Sequence, residues 1–248
     1  MTTNRAQLPP IADPTIDQIF EEFLTAQGQR LKPKTLSKYR SIISLLRHHL
    51  DGYGYEGLSK EESALFEWHH NAEGDAHKEF CQIFGPEHTI PNLGMFLSYF
   101  MVRKVMAGAE LKRSAGTVTK KLSKWLAQRG YIAEQDAVQG AEKGSEAARA
   151  LPAAERAAQI LAEAGDLFFD PSDLPDDDYM EFDHFTIGRI EPGKLWLKAY
   201  ISGEGVVGPI AVPRKATDIL QENWEISCAL ARVHGKWRLV EVANVYPH

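Results

Sequence analysis

The hydrophobic period of this chain changes once, and that change constrains its fold more than any other feature. From Ile16 to Ile132 the apolar residues recur every three or four positions, the spacing of one buried helix face. From Phe182 onward they alternate, the spacing of half-buried strands. At 248 residues the chain exceeds the usual size of one domain, so an α+β protein of two modules is expected.

The helical part divides at its glycines and prolines. Helices are expected over 15–25, from Pro33 to Leu50, over 59–70 with Ser59-x-x-Glu62 as a capping box, over 75–84, over 92–106 and over 114–128. Gly130 is placed to close the last of these in a left-handed conformation. Residues 134–181 turn to Ala, Glu and Gln and then to the acidic run 170–178, which reads as a linker with one helix from Ala153 to Ala164. Beyond it, five short strands, with turn signals at Pro192-Gly193 and His234-Gly235 and a short helix near 215–220, predict a small β-barrel of the SH3-like or OB-like type. The expected modules are therefore 14–133, helical, and 182–248, a barrel, joined by 134–181.

Net charge is -6, which looks unpromising for a nucleic-acid partner until it is divided along the chain. Residues 1–133 carry 17 basic and 14 acidic side chains, against 11 and 20 in residues 134–248, so the acidity lies in the second half. Within the first half the charge segregates again. Arg30 to Leu50 contains no acidic residue, and Leu36, Tyr39, Ile43, Leu46 and Leu50 form its apolar seam while Lys34, Lys38 and Arg47 fall elsewhere on the wheel. From Ser114 to Ile132 the seam is Val118, Leu122, Trp125 and Leu126, with Thr117, Lys121, Lys124 and Gln128 on another face and Lys120 beside them. Local field, rather than net charge, decides where a phosphate backbone would lie.

These two segments carry a family resemblance. Arg30-Leu31-Lys32-Pro33-Lys34-Thr35-Leu36-Ser37-Lys38-Tyr39-Arg40 resembles the opening segment of the N-terminal core-binding domain of tyrosine recombinases of the phage-integrase type. Thr117 to Leu126, closed by Arg129-Gly130-Tyr131-Ile132, looks like that domain's last helix. Lys32 departs from the pattern, standing where such domains often place a capping serine. The resemblance covers roughly residues 14–133 and implies an all-helical, SAM-like bundle that clasps duplex DNA. It implies DNA contacts by Lys34, Thr35, Lys38, Thr117, Lys120, Lys121 and Lys124. The physical reading agrees: lysines neutralise phosphates and release counterions, and helix N-terminal turns offer amides and hydroxyls to anionic oxygens.

The chemistry that accompanies this domain in recombinases is not legible here. Such a site needs arginines and a His-x-x-Arg segment to stabilise charge on a scissile phosphate, with a late tyrosine nucleophile. Tyr246, Arg189, Arg232, His234 and Arg238 stand late in the chain, but no His-x-x-Arg follows residue 134, and His234 belongs to a turn. The expectation is a non-catalytic DNA binder without cofactor, an accessory or regulator at a site that a recombinase also uses, with a second contact to protein or nucleic acid made by the barrel.

The rival readings are a protein-interaction adaptor and a metal-dependent enzyme built on His69, His70, His77 and Cys81, where His77 and Cys81 would be one helical turn apart. Asp173, Asp176, Asp177 and Asp178 are a weaker candidate for a hard cation, and a solvated acidic loop explains them better. Trp196, Tyr200, Trp224, Trp237 and Tyr246 are candidates for a stacking platform or for barrel core. The two cysteines fit no disulfide framework. Met1 to Pro14 has no apolar signal-peptide core, and no apolar run approaches the about 20 residues of a membrane span, so a cytoplasmic location is expected.

Overall fold

Thr15 starts the first helix by accepting from the Gln18 amide while Gln18 reaches back to the Thr15 amide, a capping box that satisfies two otherwise orphaned donors. The computed structural model describes residues 8–105, 108–165, 169–172, 174–199 and 205–247, which fall into two compact units. The first is made of residues up to 100 and 114–146; the second of 101–113 and 147 onward.

In the first unit, α1 (Ile16–Gly28) buries Ile16, Ile19, Phe20 and Phe23, and α2 (Pro33–Tyr53) buries Tyr39, Ile42, Ile43, Leu46, His49 and Leu50. Phe23 stacks on Tyr39 at 6.0 Å and meets Trp125 edge-on at 5.4 Å. α3 (Lys60–His70) begins at the expected capping box, Ser59 with Glu62. The helix expected over 75–84 is mostly absent. Gly74 takes φ +57°, residues 74–76 make a single tight turn, His77 to Glu79 run extended, and α4 is only Phe80–Ile83. The aromatic helix expected over 92–106 is instead α5 (Thr89–Met95), a π-helical segment Phe96–Phe100, and α6 (Met101–Arg103), with Met106 outside the described residues.

α7 (Ala109–Gln128) starts five residues before its expected beginning, and Gly130 closes it at φ +76°. Residues 134–164, read from composition as mostly linker, form one helix, α8 (Glu134–Ala164), with Pro152 inside it. Its N-terminal half belongs to the first unit. There Gly140 lies against Ser123 and Ile90, and Gly144 lies against the α7 backbone: a methyl group added at Gly144 would fall 2.7 Å from both the Gly116 carbonyl oxygen and the Lys120 nitrogen.

In the second unit Ala154, Ala157, Ala158 and Leu161 of α8 share a core with one face of a five-stranded antiparallel sheet. Its strands are β1 (Tyr179–Glu191), β2 (Lys194–Ala199), β3 (Val206–Ala211), β4 (Glu225–Val233) and β5 (Lys236–Tyr246), in the order β3-β2-β1-β4-β5. Both expected hairpin turns form. Gly193 takes φ +76°, and His234 and Gly235 take +51° and +74°, the paired positive angles of a tight hairpin that matches strand twist. The short helix between strands is α9 (Arg214–Thr217). The expected barrel does not form: the sheet curls until β3 and β5 lie near one another, yet among the described residues no ladder joins them, and both remain edges. Strand count and spacing are the same for an open curled sheet and a closed barrel, which is why the sequence pattern pointed to closure.

The close α7–α8 contact at Gly144 and the open surface at Gly52 lead to opposite predictions for the two glycines. Alanine gains about 1 kcal/mol of helix propensity over glycine at either site. At Gly52, in α2, nothing lies within 4 Å of the added methyl, so Gly52→Ala should stabilise by up to that amount. At Gly144 the methyl meets backbone that cannot rotate aside, so Gly144→Ala should destabilise by about 2 kcal/mol net. Urea denaturation of the two variants checks both signs.

Candidate nucleic-acid interface

The burial of α7 separates its two sides. Ala115, Val118, Thr119, Leu122, Ser123 and Leu126 are buried, and Trp125 is half-buried between Phe23 and Tyr131, with the Arg129 guanidinium 5.4 Å from its ring centre. Thr117, Lys121, Lys124 and Gln128 are all exposed, and Lys120 is half-buried beside them. The face drawn from the sequence is the face that solvent meets.

Thr117 does not have the role expected of it. The earlier start of α7 places it well inside the helix, so its amide belongs to the helical ladder and offers no N-terminal turn to an anion. Thr35 keeps that position in α2, where Lys34 and Thr35 are exposed and Lys38 is half-buried. Lys32 stands at the N-cap with no side-chain hydrogen bond into the first turn, which leaves that helix end to solvent or to a ligand.

The cations of the first unit sort into two classes. Arg47 donates to Asp17 at 2.6 Å and to Glu21 at 3.1 Å, Arg30 donates to Gln27, and Arg129 pairs with Glu22 at 3.1 Å. Lys34, Lys120, Lys121 and Lys124, by contrast, have no ion-pair partner among the described residues. Lys112, at the other end of α7 and in the second unit, is buried and paired with Glu155. Within the acidic segment 51–87, Asp51 accepts from the Cys81 amide, Glu62 accepts from Ser59 while pairing with His88, and Glu79 faces His70 and His77. One stretch of mixed charge remains. Lys120 and Lys124 form one wall of a groove of about 310 Å³ whose other wall, on α8, carries Glu134 and Glu142.

The histidine–cysteine cluster forms differently from its expected arrangement. Because His77 lies in extended chain, it is not one helical turn from Cys81. Cys81 is fully buried, its sulfur 3.9 Å from the Arg47 carbonyl oxygen; burial pushes its thiol far above the ordinary range, and the Asp51 carboxylate adds to the shift. A thiolate ligand is therefore disfavoured there. The His69 side chain is also outside the cluster; the residues that do converge are His70, His77 and Glu79.

In the second unit Trp224 and Tyr246 are buried, Trp196 has the Arg189 guanidinium 4.7 Å from its ring centre, Trp237 has Arg232 at 5.6 Å, and Tyr200 lies outside the described residues. The described rings serve the core or lie against arginine, and among the described residues they make no shared stacking surface. Of the acidic loop, Asp178 pairs with Arg232, and Asp173 lies outside the described residues.

Sequence reasoning missed His49. It is 1% exposed and lies among Tyr53, Phe96 and Phe100 on the wall of a cleft of about 240 Å³ that also meets Glu56, Met95 and Tyr99. The signal was present, since His49 falls three residues after Leu46 on the buried seam. No protein-family model, curated protein or solved structure matches this chain.

Burial lowers the His49 pKa to about 4 from its ordinary 6.5. Between those values the unfolded chain binds a proton that the folded chain excludes, so stability falls with pH across that window and levels off below it. The loss attributable to this ring is on the order of 3 kcal/mol. His49→Phe should flatten the slope of stability against pH between 6.5 and 4 relative to the parent, as measured by urea unfolding at stepped pH.

Proposed function

We propose that the helical unit is a non-catalytic, SAM-like module for binding duplex DNA, similar to the core-binding domain of tyrosine recombinases. The protein then acts in the cytoplasm as an accessory or regulatory factor at DNA sites that recombinases also use. One observation carries the reading. The arginines that hold the unit together are paired with carboxylates or an amide, while Lys34, Lys120, Lys121 and Lys124 have no ion-pair partner among the described residues.

Lysines without protein partners on an exposed helix face are what a phosphate backbone needs, because each contact releases condensed counterions. The uncapped start of α2, with Lys32 and Lys34 around it, adds a helix end whose dipole favours anions. Contacts of this kind position a duplex without reading its sequence. The curled sheet of the second unit, with β3 and β5 as its edges, is proposed as the contact for a protein partner, through strand addition.

The test is a salt titration of binding to random duplex DNA by the full chain. Parent protein should bind at low salt, with affinity falling linearly on logarithmic axes as salt rises. Lys121→Glu with Lys124→Glu should weaken binding by at least about tenfold and make the slope shallower by about 2. Glu134→Gln with Glu142→Gln, which removes the negative wall of the groove, should strengthen binding several-fold. Binding that is absent at low salt, or indifferent to these four charges, refutes the proposal.

A further inference from the structure

We propose that His70, His77 and Glu79 form a site for one divalent transition-metal ion of the zinc type, which clips the end of α3 to the segment leading into α4. The proposal is independent of the DNA-binding reading. The three side chains each offer a ligand atom, and these atoms all lie within 4.8 Å of one another.

The hydrogen bonding around His77 carries the argument furthest. Its Nδ1 lies 2.7 Å from the His70 carbonyl oxygen, an atom that can only accept, so Nδ1 carries the hydrogen. In the neutral ring Nε2 then has a lone pair, and it faces Glu79 Oε1 at 3.3 Å, also an acceptor. Two acceptors face each other favourably when a cation lies between them. A histidine whose other nitrogen donates to a backbone carbonyl is also the usual arrangement of a metal-bound imidazole, because that bond fixes tautomer and ring orientation.

His70 faces the same carboxylate from the other side. Its Nδ1 is 3.5 Å from Glu79 Oε2, is shielded from solvent, and has no hydrogen-bond partner among the described residues. The ring is held in place by stacking on Phe66 at 4.8 Å and by His77 at 5.2 Å. Bond lengths of about 2.0 Å around a tetrahedral zinc put neighbouring ligand atoms roughly 3.3 Å apart, so the separation of His77 Nε2 from Glu79 Oε1 suits such an ion, and His70 Nδ1, beside the other oxygen of the same carboxylate, lies within reach as the second nitrogen ligand.

The loop that brings the ligands together is set by its own backbone. Gly74 takes φ +57°, the His77 amide donates to the Gly74 carbonyl at 3.1 Å, and the Lys78 amide donates to the His69 carbonyl at 3.1 Å. Two imidazole nitrogens with one carboxylate oxygen select zinc, cobalt or nickel over magnesium and calcium, which prefer all-oxygen shells. Water completes the fourth position.

The experiment uses the full chain, stripped with a chelator and titrated with Zn²⁺ by calorimetry and with Co²⁺ by visible spectroscopy. The expected result is one ion per chain, a tetrahedral Co²⁺ spectrum without a thiolate charge-transfer band, and a raised thermal midpoint. His77→Ala and the near-isosteric Glu79→Gln should each weaken binding by at least about tenfold with an unchanged circular-dichroism spectrum, and His69→Ala should leave binding as it is. The competing arrangement is a pair of imidazolium–carboxylate bonds with no metal. Absence of saturable Zn²⁺ binding, equal binding of Mg²⁺, indifference to Glu79→Gln, or a thiolate band from Cys81 would overturn the metal site.

Discussion

The closeness of α7 and α8 settles more of the first unit than any single apolar contact. Gly140 and Gly144 let the two helices approach until backbone meets backbone, and the side of α7 that carries Gly116 and Ser123 is thereby covered. With Val118, Leu122 and Leu126 committed to the core, one arc of α7 is left for solvent, and Thr117, Lys121, Lys124 and Gln128 occupy it. The exposed lysine face is thus a consequence of small residues on another helix. Larger residues at those two positions would separate the helices and expose Ser123 and Thr119, whose hydroxyls now bond back to carbonyls of α7 itself.

Two arginines of the first unit are committed to protein groups, each where a fork of donors can reach two acceptors or cover a ring: Arg47 spans Asp17 and Glu21, and Arg129 joins Glu22 to the Trp125 face. Glu22 also accepts from the Tyr131 hydroxyl at 2.5 Å, so the chain leaving α7 is fastened to α1 by two side chains, Arg129 and Tyr131, at one carboxylate. The exposed face of α7 is built from lysine, a compact charge that tolerates many partners.

What the sequence revealed, and what it hid, follows from side-chain size. The seams of α2 and α7 were legible because large apolar residues at spacings of three and four have one folded interpretation, and Ser59 with Glu62 declared a helix start. The packing of α8 was hidden because its contacts are made by Gly140, Gly144, Ala154 and Ala157, whose burial leaves no signal in a composition rich in Ala and Glu. The break before α4 depends on the left-handed turn at Gly74, and a lone glycine in a polar stretch does not announce whether it ends a helix. That one turn separated His77 from Cys81 and brought it to His70 and Glu79. In the tail the strands and both hairpin turns were readable from alternation and turn residues, whereas closure into a barrel depends on whether two strand edges pair, which no local pattern encodes.

The start of α2 has a consequence for motion. Lys32 and Lys34 place positive charge at the positive end of the helix dipole, where each is unfavourable by about 0.3–1 kcal/mol, and no side chain caps the turn to offset it. Pro33 and the bonds from the Thr35 and Leu36 amides to the Lys32 carbonyl hold that turn against the repulsion. The first turn of α2 is therefore the end of that helix most given to fraying, with amides that exchange with water sooner than those beside Leu46. An anion seated there would quiet it, so local order in this turn follows ionic conditions while the core beneath it does not.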